Sequence, residues 1–268
     1  MFKRPKKYPY KDTTLVVYLV LRLLVLFTLA HNIYLKQWSN VFLTLITLFL
    51  LILPSIIAKR IQVELPTTFE ITVLVFIFAA EILGSLSNFY GRVSHWDTML
   101  HTMTGFIATG VGFAIIDILN EQDNFIFNIA PAFVAVVGFC FSMTVGVMWE
   151  FGEYFMDRYF LMDGQKDTIV ERIASVHLVE PIGSEMTVID DILETQIIYV
   201  NKNNEKDVLT IKEGYLDIGL NDTMKDLLVN MLGSIVYSIF GWLYLENREK
   251  YGLAGEFIPR RLKSKNDQ

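Results

Sequence analysis

Apolar residues run through this chain in six long blocks, at about 13–34, 39–58, 67–87, 97–119, 129–155 and 221–245. A helix rises about 1.5 Å per residue, so roughly 20 residues cross about 30 Å of hydrocarbon. Each block predicts a membrane-spanning helix. Only KQWSN, Lys36 to Asn40, joins the first block to the second, which forces antiparallel neighbours. One long polar connection separates the fifth block from the sixth, at about 158–219. Within it TQIIYV and DVLTI flank the turn-prone NKNNEK, the pattern of a β-hairpin.

Three of the blocks carry polar and small residues at helical spacing. Asp97 and His101 share a face that continues through Gly105, Ala108 and Gly112. In the fifth block Gly138, Ser142 and Gly146 lead to Glu150, Glu153 and Asp157. The sixth opens with Asp222 and Asp226 and continues through Asn230, Gly233 and Tyr237. Small residues let helix backbones approach in lipid, and ionisable groups there are costly unless turned into the bundle or a wet cavity. Each stripe therefore predicts an inward face. Glu81, near the end of the third block, is a further candidate for the same region, and Arg22 in the first block is a candidate ion-pair partner for it.

Composition supports the membrane reading. The chain is 53% hydrophobic and 19% charged, with a mean hydropathy of +0.40, too apolar for a soluble domain. Its first apolar run is longer than a signal peptide and has no A-x-A site after it, so it reads as a retained span. Thirteen Lys and Arg residues fall in MFKRPKKYPYK, at Lys59 and Arg60, and between Arg248 and Lys265, against Lys36 and Arg92 in the short loops opposite. That bias places both termini in the cytoplasm. The expected fold class is all-α: a polytopic membrane protein with six transmembrane helices and a small extracytoplasmic insert with some β. Its parts are helices one to five in 1–157, the acidic insert 158–219, the last span 220–247 and a solvated basic tail 248–268. Thirteen acidic and six basic residues lie between Asp157 and Gly219, so the insert is no anionic-lipid binder. A single cysteine, Cys140, excludes an internal disulfide and reads as a buried thiol.

This topology puts Asp97, His101, Glu150, Glu153, Asp222 and Asp226 in the outer half of the bilayer. Asp97 and Asp222 in first helical turns also suit the helix dipole, which is the plain structural explanation for each alone. His101, Glu150 and Asp226 have no such explanation. Carboxylates with one imidazole are ligands for Mg²⁺, Mn²⁺ or Zn²⁺. In that arrangement Glu150, Glu153, Asp222 and Asp226 hold the ion, and His101, oriented by Asp97, is the general acid or base.

WDTMLHTMTGF, WEFGEYFMD and NDTMKDLLVNMLGSIVYSI resemble the three signature blocks of the YjdF-like bacterial inner-membrane proteins. More distantly they are similar to VanZ-like proteins, a group associated with glycopeptide-antibiotic tolerance. The resemblance covers about 97–155 and 221–240, with signature positions Asp97, His101, Glu150, Glu153, Asp222, Asp226, Asn230 and Gly233. It implies a multi-pass protein of the bacterial cytoplasmic membrane and no particular reaction. The long outer insert departs from the short connection expected of that family.

Three functions follow from these residues. One is an enzyme acting at the outer leaflet on a lipid or lipid-linked small molecule of the envelope. A second is a proton- or cation-coupled transporter. The third is a non-catalytic envelope resistance or scaffold protein that binds through the acidic insert. Neither GxSxG nor HExxH is present, and nothing points to nucleic acid as a partner.

Overall fold

The computed structural model describes residues 12–61, 63–120, 129–183 and 185–261. The basic N-terminal residues before Asp12, the fourth-to-fifth loop from Glu121 to Asn128, and the last residues from Leu262 lie outside the described residues. Among the described residues, six helical stretches are long and apolar enough to cross a membrane: Thr13–Tyr34, Trp38–Arg60, Thr67–Leu86, Trp96–Ile116, Pro131–Phe160 and Leu220–Glu246. They coincide with the six apolar blocks.

In detail the helices are α1 (Asp12–Tyr34), α2 (Trp38–Leu50), α3 (Leu53–Arg60), α4 (Thr67–Phe78), α5 (Phe89–Arg92), α6 (Trp96–Asn120), α7 (Pro131–Phe160) and α8 (Leu220–Glu246). The second span is broken into α2 and α3 because Pro54, in the first turn of α3, has no N–H to continue the ladder. The third span changes its winding: α4 passes into a π-helix over Ala79–Leu86. Its wider turn exposes carbonyls that serine hydroxyls cover. Ser87 Oγ donates to Ile82 O at 2.9 Å and Ser85 Oγ to Ala80 O at 3.3 Å. Elsewhere Thr44, Thr47, Thr72, Thr102, Thr104 and Thr109 each donate to the carbonyl four residues back, which satisfies a hydroxyl without water.

The chain divides into two compact units, residues 1–147 with 226–268, and residues 148–225. In the first unit one apolar cluster joins Leu21, Val25, Leu51, Leu74 and Ile82, and another joins Phe69, Phe113, Ile116, Val134, Tyr237, Tyr244 and Ile258. Close approach of α6, α7 and α8 rests on glycine. A Cβ on Gly105 would sit inside the Asn230 carbonyl, one on Gly233 inside the Thr102 carbonyl, and one on Gly112 at 2.9 Å from Gly138 Cα. Along α6 and α8 the contacts advance together, from His101 with Asp226 through Gly105 with Asn230 to Phe113 with Gly241, so these helices run parallel. Those of α6 with α7 run in opposite senses, Gly105 with Ser142 and Gly112 with Gly138.

Three expectations are corrected in this unit. The tail is not simply solvated as far as it is described. A 3₁₀ turn at Gly252–Phe257 is followed by β8 (Arg260–Arg261), which pairs antiparallel with β1 (Val63–Glu64). Phe257, Ile258 and Pro259 supply apolar surface that folds inward, and Tyr237 Oη donates to Phe257 O at 2.6 Å. Cys140 is exposed, because a residue two places from both Gly138 and Ser142 lies on the opposite side of the helix. Arg22 does not pair with Glu81; its Nη1 donates to Tyr18 Oη at 2.6 Å, one turn away on the same helix.

The second unit holds the end of α7, the start of α8 and strands β2 (Thr168–Val170), β3 (Ile173–Ser175), β4 (Thr187–Ile189), β5 (Glu194–Val200), β6 (Lys206–Lys212) and β7 (Tyr215–Asp217). They pair as antiparallel ribbons, β2 with β7, β3 with β4 and β5 with β6. The expected hairpin is β5–β6, in register from Glu194 opposite Lys212 to Val200 opposite Lys206. Asp157 fastens the turn after α7 by accepting from Gly164 N at 2.6 Å and Gln165 N at 2.8 Å.

Candidate metal centre

Asp97 and His101 are held by the first two turns of α6, and Asp226 by the second turn of α8. His101 Nε2 lies 3.6 Å from Asp97 Oδ1 and 3.6 Å from Asp226 Oδ2. Each separation is longer than a good N–H···O hydrogen bond and within ion-pair reach, so the imidazole nitrogen stands between two carboxylates from different helices. One ligand atom from each residue falls within 4.8 Å of the other two. Opposite ligands of a small cation span about 4.4 Å at bond lengths near 2.2 Å. A few tenths of an ångström of closure therefore fits the three donors around one ion. Side-chain exposure is 17% for Asp97, 13% for His101 and 2% for Asp226, a site sheltered on the α8 side and reachable past α6.

Below this cluster the three inward stripes meet, as their spacing predicts. Ser142 Oγ donates to Gly105 O at 2.9 Å, and Ser234 Oγ reaches Ser142 Oγ at 2.7 Å and Asn230 O at 2.8 Å. Ser142 and Ser234 are fully buried. Hydroxyls thus tie α6, α7 and α8 together one turn beneath His101 and Asp226. Ser234 was not singled out by its sequence setting, although it lies four residues after Asn230, on the same face.

Glu150, Glu153 and Asp222 belong to the second unit. Glu150 is buried in α7, at 4% exposure. Glu153 accepts from Trp149 Nε1 at 2.8 Å, one turn back on the same helix. Asp222 accepts from Lys166 N at 2.9 Å and stands 3.7 Å from Lys225 Nζ, so its carboxylate holds the connection between β2 and α7 to the start of α8. Glu81, on the π-helix, is not part of the three-residue group.

Six apolar helices, and ionisable side chains gathered on the inward faces of two of them, define a multi-pass membrane protein. The chain belongs to the DUF2238 family of predicted membrane proteins, the YjdF family anticipated from its signature blocks: the family model matches residues 15–247. It is also 25% identical over 124 residues to an "Uncharacterized protein" of Thermotoga maritima, a match that covers 45% of this chain. The chain spans 62% of that relative's length. No solved structure matches.

Proposed function

We propose that this protein is a membrane-embedded enzyme in which Asp97, His101 and Asp226 hold a divalent cation that acts on a lipid or lipid-linked envelope substrate at the outer leaflet of the bacterial cytoplasmic membrane. The observation that carries this reading is the convergence of two carboxylates from different helices on one imidazole nitrogen, each at 3.6 Å. A bound cation gives these groups a common purpose and supplies Lewis acidity or an activated water there. Both helices begin near the site: His101 lies five residues into α6 and Asp226 six residues into α8, about 8 and 9 Å at 1.5 Å per residue. With the cytoplasmic termini read from the positive charges, that depth falls just under the outer headgroups. A substrate with an amphipathic body and a polar head can reach it from the leaflet.

Metal analysis of the protein purified in detergent tests this directly. One ion per chain is expected, lost in His101→Ala and Asp226→Asn, with a lipid or lipid-linked species altered in cells that lack the protein. An ion-free protein that takes up none on titration, together with unchanged lipid extracts, would refute the reading. A transporter is favoured instead by Glu81, an acidic side chain on a π-helix inside a span, a winding often found at functional sites. Cation or proton flux in proteoliposomes that vanishes in Glu81→Gln but survives in His101→Ala would decide for it.

A further inference from the structure

Asn230 is 1% exposed, and its side-chain oxygen is buried with no hydrogen-bond partner. Buried amide oxygens are nearly always satisfied, so this one marks a place where a donor, a water or an ion belongs. Its orientation is set by its other end: Nδ2 lies 3.7 Å from Met143 Sδ, and a thioether can only accept. The carbonyl oxygen is therefore the end turned away from Met143.

The direction it faces follows from helix geometry. Asn230 lies one turn after Asp226 on the same face of α8, and helical side chains lean back toward the N-terminal turn. That lean carries the amide toward Asp226. On α6 the order is the same, since Gly105, which abuts the Asn230 backbone, lies one turn after His101. Room for the amide comes from Gly146 on α7, where a Cβ would stand 2.7 Å from Nδ2. A glycine that admits a buried amide and a carbonyl with no donor are two separate signs of one built position.

We infer that the Asn230 side-chain oxygen is a fourth donor of the cation site, bound to the ion directly or through one ion-bound water, and that the site takes a hard divalent cation of the Mg²⁺ or Mn²⁺ type. This deepens the proposed metal reading and rests on it. Asp97, Asp226 and Asn230 then offer three oxygens against the single imidazole nitrogen of His101, a donor set in which oxygen outnumbers the softer ligand. A neutral carbonyl also adds a ligand without adding a third negative charge next to two carboxylates.

The experiment is a Mn²⁺ titration of the full-length protein in detergent, followed by loss of the free-ion electron paramagnetic resonance signal. Wild type is expected to take up one ion. Asn230→Leu should weaken uptake by about 10- to 100-fold, the usual loss when a metal site's supporting ligand is removed. Asn230→Asp keeps an oxygen there and adds charge, so Mn²⁺ should raise its melting temperature more than it raises that of wild type. If Asn230→Leu binds Mn²⁺ as tightly as wild type, the fourth-donor role is wrong while the three-residue centre stands. Should Asn230→Leu fail to fold, an equal Mn²⁺-induced rise in wild type and Asn230→Asp overturns it in the same way. Wild-type protein that binds no Mn²⁺ removes the metal reading and this inference together.

Discussion

Gly105→Ala places the tightest demand on the packing described above. Adding a methyl group at a helix-interior glycine ordinarily favours folding by about 1 kcal/mol through helix propensity. At position 105 the new Cβ would overlap the Asn230 carbonyl oxygen and lie 2.8 Å from its carbon, against the 3.5–4.0 Å at which such atoms rest. The obstacle is backbone on a neighbouring helix, which cannot rotate aside. Helices α6 and α8 must then part by about 1 Å, and overpacking of that kind costs about 1–3 kcal/mol. The clash outweighs the propensity, so the net effect is destabilising. Separation also stretches His101–Asp226 from 3.6 Å to roughly 4.6 Å, past the about 4.4 Å that two ligands of one small cation span. Thermal unfolding in detergent should show a melting temperature lowered by several degrees, and Mn²⁺ uptake should fall. Gly152→Ala is the control, because a Cβ there meets nothing within 4 Å. It should hold or raise the melting temperature. A Gly105→Ala protein as stable as Gly152→Ala would refute the close crossing, and with it the geometry assigned to the site.

Other consequences are as direct. Tyr237→Phe removes the donor to Phe257 O and leaves that carbonyl unsatisfied beside a buried ring, so it should cost about 1–3 kcal/mol, read as a lower melting temperature. In the insert, local desolvation and then the charges of Asp163, Asp157 and Asp217 raise the Asp167 carboxyl above its ordinary 3.8. Because the folded value lies above the unfolded one, the folded state binds the proton more tightly; the penalty of ionisation is absent below about pH 3.8 and develops as pH rises through the folded value. Asp167→Asn should therefore melt higher than wild type at pH 7 and converge with it in acid. A gap that persists at low pH would show that the charge is not the cause.

Chain order alone determined the six spans, the β5–β6 hairpin and the inward faces of α6, α7 and α8. The spans follow from the length of the apolar blocks, the hairpin from strand-forming segments around a turn, and the inward faces from helical spacing; each is a local property that a segment carries wherever it packs. His101 could be named as a candidate from its place beside Asp97 four residues back. Which distant acid it would meet was a different matter. Asp222 and Asp226 have nearly the same sequence credentials; in the structure the first accepts from the Lys166 amide and the second stands 3.6 Å from His101 Nε2. The rotation of α8 against α6, fixed by where Gly105 and Gly233 let the backbones touch, brings Asp226 to the imidazole. The π-helix, the inward fold of the tail and the buried Asn230 oxygen were likewise decided only in three dimensions. Each depends on what a neighbouring segment offers or withholds, a carbonyl, an apolar surface or a donor, and a one-dimensional pattern carries no record of its neighbours.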